Sequence, residues 1–215
     1  MASGLFLALQ RRWMLRQLRD ARFRFMWEPP PVEEWVALDC EATGLNVKTD
    51  DIIAIGAVRI RGNCVMTSER LELLVRPDKK RISPESVRVH RLREQDVAQG
   101  ISAQDAVLQL LHFIGSRPLV GYYLEFDVAL INRVLTPLLG CGLPHAQIEV
   151  SGLYYDYKYQ QLPPHARDSR AIDLRFNSLL ADLHLPLWPA HDALNDAVMA
   201  ALAFLKLRQL RKPST

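Results

Sequence analysis

The sequence predicts a mixed α/β fold in which one sheet is covered by helices, and three observations lead there. Trp35 to Cys40 is an apolar run, with Asp39 near its end, of the kind that forms a strand buried on both faces. Asp51 to Arg61 and Cys64 to Arg76 are two further strand-like stretches, and the turn residues Gly62-Asn63 join them as a hairpin. Beyond them the apolar residues recur at helical spacing, interrupted by one short strand. Strands first, then helices alternating with a strand, is the order of a mixed sheet flanked by helices.

Taken along the chain, residues 1–31 stand apart as a basic amphipathic extension, and residues 32–215 read as one domain. With a helix over 5–21, Arg12, Arg16 and Arg19 share one face while Phe6, Leu9, Trp13 and Met14 line the other. Pro29-Pro30-Pro31 stops it. This pattern favours a helix docked by its apolar side, on its own or a partner domain, over a basic arm for nucleic acid or an anionic membrane surface. Ser83-Pro84 opens a short helical stretch, and Ser102 is the N-cap of a helix with Val107, Leu110, Leu111 and Ile114 on one face. Pro118 to Gly121 is the short strand. Phe126, Leu130, Ile131, Val134 and Leu138 have helical spacing up to Gly140. Tyr154 to Pro164 reads as loop-rich, its tyrosines packing in the core or between subunits. Helices near Ala171–Leu185 and Asp192–Arg211 close the chain.

The composition excludes several classes. At 215 residues, 49% hydrophobic and 24% charged, the chain can bury a full core and is far from a disordered composition. The net charge is only +3, and the six arginines of the first 30 residues account for that excess, so the remainder has no bias toward polyanions. Three scattered cysteines, Cys40, Cys64 and Cys141, exclude a disulfide framework and a Cys-x-x-Cys zinc site, and fit a reducing cytoplasmic setting. No window approaches 18 apolar residues, which excludes a membrane span. The first residues put their apolar run before their arginines, the reverse of a secretory signal.

Three places carry chemistry. Asp39 and Glu41 are two apart on a strand, so their carboxylates project to the same face. Two such anions raise each other's pKa unless a cation intervenes, and oxygen ligands at short range suit Mg²⁺ or Mn²⁺. An isolated Asp-x-Glu is usually a pair of surface acids, but the apolar run before this one makes the strand end an unsuitable place for idle charge. Asp127 lies in the first turn of a predicted helix, where the positive dipole end favours an anion; taken alone, that is reason enough for it, and Glu125 is a rival. In His191-Asp192-Ala193-Leu194-Asn195-Asp196, Asp192 reads as the N-cap and Asp196 lies one turn inside the final helix. His191 is left in the preceding loop, able to take a proton from water near neutral pH.

In this order, Asp39-Cys-Glu-Ala-Thr-Gly, an Asp after an aromatic, and His191-x-Ala-x-x-Asp-Ala, the chain resembles the DEDDh family of 3′–5′ exonucleases. That superfamily holds the proofreading subunit of the bacterial replicative polymerase, oligoribonuclease and ribonuclease T. The likeness covers about Trp35 to Leu207, with Asp51 to Val58 as the second strand and Val87 to His90 in a connecting segment. It implies a ribonuclease H-like fold, a five-stranded mixed sheet flanked by helices. It also implies two divalent cations, Mg²⁺ or Mn²⁺: Asp39, Glu41 and Asp196 hold one, Asp39 reaches the second and Asp127 supports it, with His191 as general base. Ala42, Thr43, Gly44, Leu45, Tyr123 and Phe126 are then the residues that meet the terminal nucleotide.

The implied substrate is the 3′ end of single-stranded nucleic acid, DNA rather than RNA, and the product a mononucleotide. A polymerase subunit and a second copy of the chain are the partners the resemblance admits. The chain departs from the family at Gly121-Tyr122-Tyr123, where Gly-His-Asn is frequent, and at Ala54, where Glu is frequent. Neither departure removes a metal ligand or the base; both bear on how the 3′ terminus is held. Asp156 stands where relatives often carry an acid, and Tyr122 and Tyr123 divide between packing and base stacking. Three other readings compete: an RNA-trimming exonuclease, a polymerase-associated docking module, and a ribonuclease H-type endonuclease, against which the His191 motif weighs.

Overall fold

The computed structural model describes residues 2–78, 82, 92–163, 171–189 and 192–211. The expected helix start at Ser83-Pro84, the Val87 to His90 segment and His191 lie outside the described residues. The sheet has five strands, β1 (Glu34–Ala42), β2 (Ile52–Arg61), β3 (Cys64–Leu74), β4 (Leu119–Gly121) and β5 (Gln147–Glu149), in the order β3-β2-β1-β4-β5. β1 and β2 pair antiparallel, as do β2 and β3, whereas β4 lies parallel to β1 and β5 parallel to β4. This is the five-stranded mixed sheet of a ribonuclease H-like fold.

The helices are α1 (Ala2–Gln17), the single turn α2 (Glu94–Val97), α3 (Ala103–Ile114), α4 (Leu124–Leu139), α5 (Val150–Gln161), α6 (Phe176–Asp182) and α7 (Ala193–Arg211). Alternation along β1 divides the core into two layers. Val36, Leu38 and Cys40 face the buried stripes of α3 and α4, while Ala37 faces Val198, Ala201 and Phe204 of α7 together with Leu179 and Leu180 of α6. Asp39 and Glu41 share the parity of Ala37 and so project on the α7 side.

Local structure differs from the sequence expectation in four places. The expected helix over 5–21 is two elements, α1 ending at Gln17 and a 3-10 helix over Ala21–Trp27. Asp20 breaks them apart by capping the second, accepting a hydrogen bond from the Arg22 N–H. Residues 150–161 are helix rather than loop, because Glu149 caps Ser151 and Tyr154 packs inward to donate its hydroxyl to Asp182 at 3.0 Å. β5 has only three residues, too few for a periodic signal. Of the helix expected over 171–185, only Phe176–Asp182 is helical.

The N-terminal segment is tied to the core from Met14 onward. Phe23 and Met26 are buried among core residues, and the Phe23 and Phe25 rings each lie 5.3 Å from the His112 ring of α3. Arg19 serves the end of α4: its backbone N–H donates to Leu139 O at 2.9 Å and its Nη1 to Pro137 O at 2.7 Å. A cation at that end also meets the negative pole of the helix. α1 itself leaves Leu9 and Trp13 exposed, while Met14 packs against the core. Among the described residues no helix is long and apolar enough to cross a membrane.

Because Met26 is almost fully buried, Met26→Ala should lower the unfolding free energy by about 2–5 kcal/mol in denaturant titration. A loss of a few tenths would show that the 3-10 helix is peripheral.

Candidate active site

The end of β1 is where three separated parts of the chain meet. Asp39 and Glu41 lie near the C-terminal end of the strand, Asp127 is in the first turn of α4, and Asp196 is in the first turn of α7. One carboxylate oxygen each of Asp39, Glu41 and Asp196 lies within 4.8 Å of the others, a grouping able to grip a single cation. Asp127 stands beside this trio, buried, with its Oδ1 accepting the Cys40 N–H at 3.1 Å across from α4 to β1. The backbone bond fixes Asp127 against the strand at the residue between the two β1 acids.

A close approach of α7 to the sheet makes the trio. Gly56 pairs with Asp39 across β1 and β2, and a side chain there would collide with the backbone of Ala193 and Leu194. Glycine in mid-strand thus lets the start of α7 lie directly on β2, which carries Asp196 to Asp39. Asp192 precedes the helix and caps it, its Oδ1 accepting the Asn195 N–H at 3.0 Å.

Electrostatics at the site are those of buried carboxyls crowded against one another. Burial, then Asp127, Asp196, Glu41 and Asp192 in falling order, push the Asp39 carboxyl well above the usual carboxylate range. Burial, then Asp196 and Asp192, raise Glu41 to about 7. Asp127 is also raised, by burial above all, with the Cys40 N–H opposing and Glu41 and Glu149 adding to the rise. The N-terminal poles of α4 and α7 ease this repulsion only in part. All-oxygen donors, clustered and mutually repelling, are the donor set of a hard divalent cation, so the residues present fit the ions the motif implies.

The loop after β1 is built by its own polar network. Thr43 is buried and gives its backbone N–H to Asp51 O at 2.9 Å, while its hydroxyl accepts the Asp51 N–H at 3.0 Å and faces Asp50. The buried Asp50 carboxylate also accepts the Asn46 N–H at 2.8 Å, and a Cβ at Gly44 would strike it. Arg133 of α4 reaches back to Asp50 O and to the Asp51 carboxylate. Of the residues expected to meet a nucleotide, Ala42 and Thr43 are thus buried in this framework, Leu45 projects with 89% of its surface exposed, and Tyr123 and Phe126 lie at the start of α4 with their rings stacked.

Four participants escaped sequence reasoning: Gly56, Asp50, Arg133 and Glu149. Glu149 has a local signal, an acid two residues before Ser151 at a helix start, and accepts both the Ser151 N–H at 3.0 Å and its hydroxyl at 2.7 Å. The same carboxylate caps α4, accepting the Tyr123 N–H at 3.0 Å and the Leu124 N–H at 2.9 Å. Asp156, the acid singled out instead, faces away and pairs with Arg211 at 3.5 Å.

A ribonuclease H-like sheet with acids converging at the end of its central strand defines a nuclease-type hydrolase domain. The profile of the RNase T exonuclease family matches residues 36–204, and the chain belongs to that family of DnaQ-like exonucleases. The PolC-type DNA polymerase III of Thermotoga maritima is 25% identical over 178 residues, which are 83% of this chain and 12% of that protein. The DNA polymerase III subunit epsilon of Aquifex aeolicus is 30% identical over 100 residues, 46% of this chain and 48% of the relative. The chain therefore spans at most about half the length of these two relatives. Among solved structures, Exonuclease X in complex with 5′ overhanging duplex DNA superposes with a TM-score of 0.62 at 22% identity, covering 84% of this chain and 94% of that one.

Two outcomes follow from this geometry. In the folded protein Glu41 keeps its proton up to about pH 7, whereas the unfolded chain releases it near 4.5. Without metal, stability should therefore fall as the pH rises from 4.5 through 7, and Mn²⁺ should raise the melting temperature most at the upper end. Scanning calorimetry across that range, with and without Mn²⁺, reads both effects. Separately, Gly56→Ala forces α7 off the sheet and should abolish the Mn²⁺-dependent rise in melting temperature even where the fold survives.

Proposed function

We propose that this chain is a 3′–5′ exonuclease that hydrolyses phosphodiester bonds from the 3′ end of single-stranded DNA and releases mononucleotides. The observation that carries the reading is the convergence of Asp39, Glu41 and Asp196 oxygens within 4.8 Å, with Asp127 fastened beside them. These four carboxylates would hold two divalent cations, Mg²⁺ or Mn²⁺. Bound there, such ions neutralise the charge that builds on the attacking and leaving oxygens of an in-line displacement.

The chain's own residues do the rest. Asp39 and Glu41 are rigid because they belong to a central strand with neighbours on both sides. Asp127 and Asp196 are carried in on two helix starts. His191, next before Asp192 in the sequence, is the general base that takes the proton of the attacking water. Leu45, Tyr123 and Phe126 line the approach of the terminal nucleotide, and the backbone of Ala42 to Gly44 forms its floor. Support for DNA comes from the relatives, both named as DNA polymerase III chains, and from the duplex DNA bound to Exonuclease X. The same relatives support a polymerase chain as partner, and the exposed Leu9 and Trp13 of α1 are the surface offered to it.

Matched 5′-labelled DNA and RNA strands, incubated with Mn²⁺, Mg²⁺ or chelator, test the reading. The expected result is a metal-dependent ladder that shortens from the 3′ end, faster on DNA. Asp39→Asn and Asp196→Asn should reduce it to background, and His191→Ala should slow it about 10²–10⁴-fold. Faster loss of RNA would reverse the substrate assignment, and cleavage of a circular strand would replace the exonuclease by an endonuclease.

A further inference from the structure

The loop that follows the two β1 acids is not packed in on every side. Lys48, Thr49 and Asp51 line a groove of about 640 Å³, which they share with Ile52 and with Arg133, Val134 and Leu138 of the second half of α4. A segment beside open space has no neighbours on that side to hold it. Val47 packs against the core from within the loop, an apolar contact without direction. The other bonds described above are internal to the loop: Thr43 with Asp51, and the Asn46 N–H with the Asp50 carboxylate. The Thr49 and Asp50 N–H groups add a tight turn by donating to Asn46 O at 3.0 and 2.8 Å. Bonds of this kind fix the shape of a segment but not where it stands.

Arg133 supplies a directional hold from outside. It joins the α4 side of the groove to the loop side, its Nη2 donating to Asp50 O and, at 3.0 Å, to the Asp51 carboxylate. The pair is half-buried, with 29% of the arginine and 16% of the aspartate side chain exposed, so solvent screens it less than a surface ion pair. Hydrogen bonds between ionised partners are the strong kind. The two residues gripped are those on which the rest of the loop hangs. Asp51 clamps Thr43 through both its N–H and its carbonyl, and the Asp50 carboxylate lies against Gly44. Arg133 also lies six residues after Asp127, about 9 Å along the same helix. The helix that brings in Asp127 therefore sets the place of Thr43 and Gly44 as well.

We propose that Arg133 is a positioning residue for the 3′-terminal nucleotide: it holds the Thr43–Gly44 floor at a fixed offset from the acids while touching neither nucleotide nor cations. This rests on the exonuclease reading. Asp127 has its own bond to the Cys40 N–H, and the start of α4 its own cap in Glu149, so the acids keep their places without Arg133. Arg133 then governs how firmly the strand end is seated, and not the hydrolysis that follows.

Steady-state degradation of a 5′-labelled dT strand with Mn²⁺ tests this division. Arg133→Ala should raise KM about tenfold, as expected for loss of a charged hydrogen bond, with kcat within about twofold of wild type. The Mn²⁺ concentration that gives half the full rate should not move. Arg133→Lys, which returns the cation without the planar fork, should fall between the two. Asp51→Asn should also raise KM, and the double variant Arg133→Ala with Asp51→Asn should be no worse than the weaker-binding single one, because both remove the same bond. Should Arg133→Ala fail to fold, Asp51→Asn and Arg133→Lys carry the same expectation. A merely structural arginine would lower the melting temperature and the active fraction, hence kcat, and leave KM alone. An unaltered KM, a loss confined to kcat, or additive effects in the double variant would overturn the assignment. In each of those cases wild type still degrades the strand, whereas a failed exonuclease reading shows as wild type that degrades nothing.

Discussion

The structure depends on bringing like charges together and keeping them there. Asp39, Glu41, Asp127 and Asp196 come from one strand and two helices, and burial adds to their mutual repulsion. Left to themselves such groups would take up protons or drive the elements apart. The remainder of the fold supplies the apolar contact that overrides this tendency. β1 is the central strand, covered on one face by α3 and α4 and on the other by α6 and α7. The site therefore holds strain that a bound cation would relieve, which is the usual relation between a metal centre and the stability of the protein around it.

Two glycines and one buried acid convert that general frame into a particular geometry. Gly56 decides how near α7 comes to β2, and hence whether Asp196 reaches Asp39. Gly44 decides whether the Asp50 carboxylate can lie under the loop after β1. Asp50 in turn fixes Asn46 and Thr43, so the threonine and glycine that follow the acidic pair in the motif are explained by the loop they build. A substrate would meet the outer surface of that loop, where Leu45 is free.

Much of this was legible in the chain and some was not, for reasons that differ by residue. The apolar run from Trp35 and the hairpin at Gly62-Asn63 announced the antiparallel half of the sheet, because hydrogen-bonded neighbours in sequence leave a local pattern. β5 left none: three residues, held by a parallel partner 28 positions away, have no periodicity to read. α5 was concealed by tyrosines, which look like loop composition until Tyr154 is seen to turn inward. The acids were legible as types and spacings, and their convergence only through the family resemblance, since the local cause is the absence of a side chain at Gly56. Glu149 was passed over for Asp156 because both follow the second motif, and only the fold shows which of them faces α4.

The helix that carries Asp127 illustrates how position is secured. α4 is anchored at its start by the Glu149 carboxylate, at mid-length by Arg133 to the Asp50–Asp51 backbone and carboxylate, and at its end by Arg19. Each anchor comes from a different part of the chain: the β5–α5 junction, the loop after β1, and the N-terminal segment. A helix held only by its apolar stripe can slide or rotate at modest cost, whereas directional bonds at three levels fix both translation and rotation. A fourth bond, from Cys40 N–H to Asp127 itself, ties the start of the helix directly to β1. The residues before Trp35 thus contribute to the site from the far end of α4, about 24 Å along a sixteen-residue helix, without touching it.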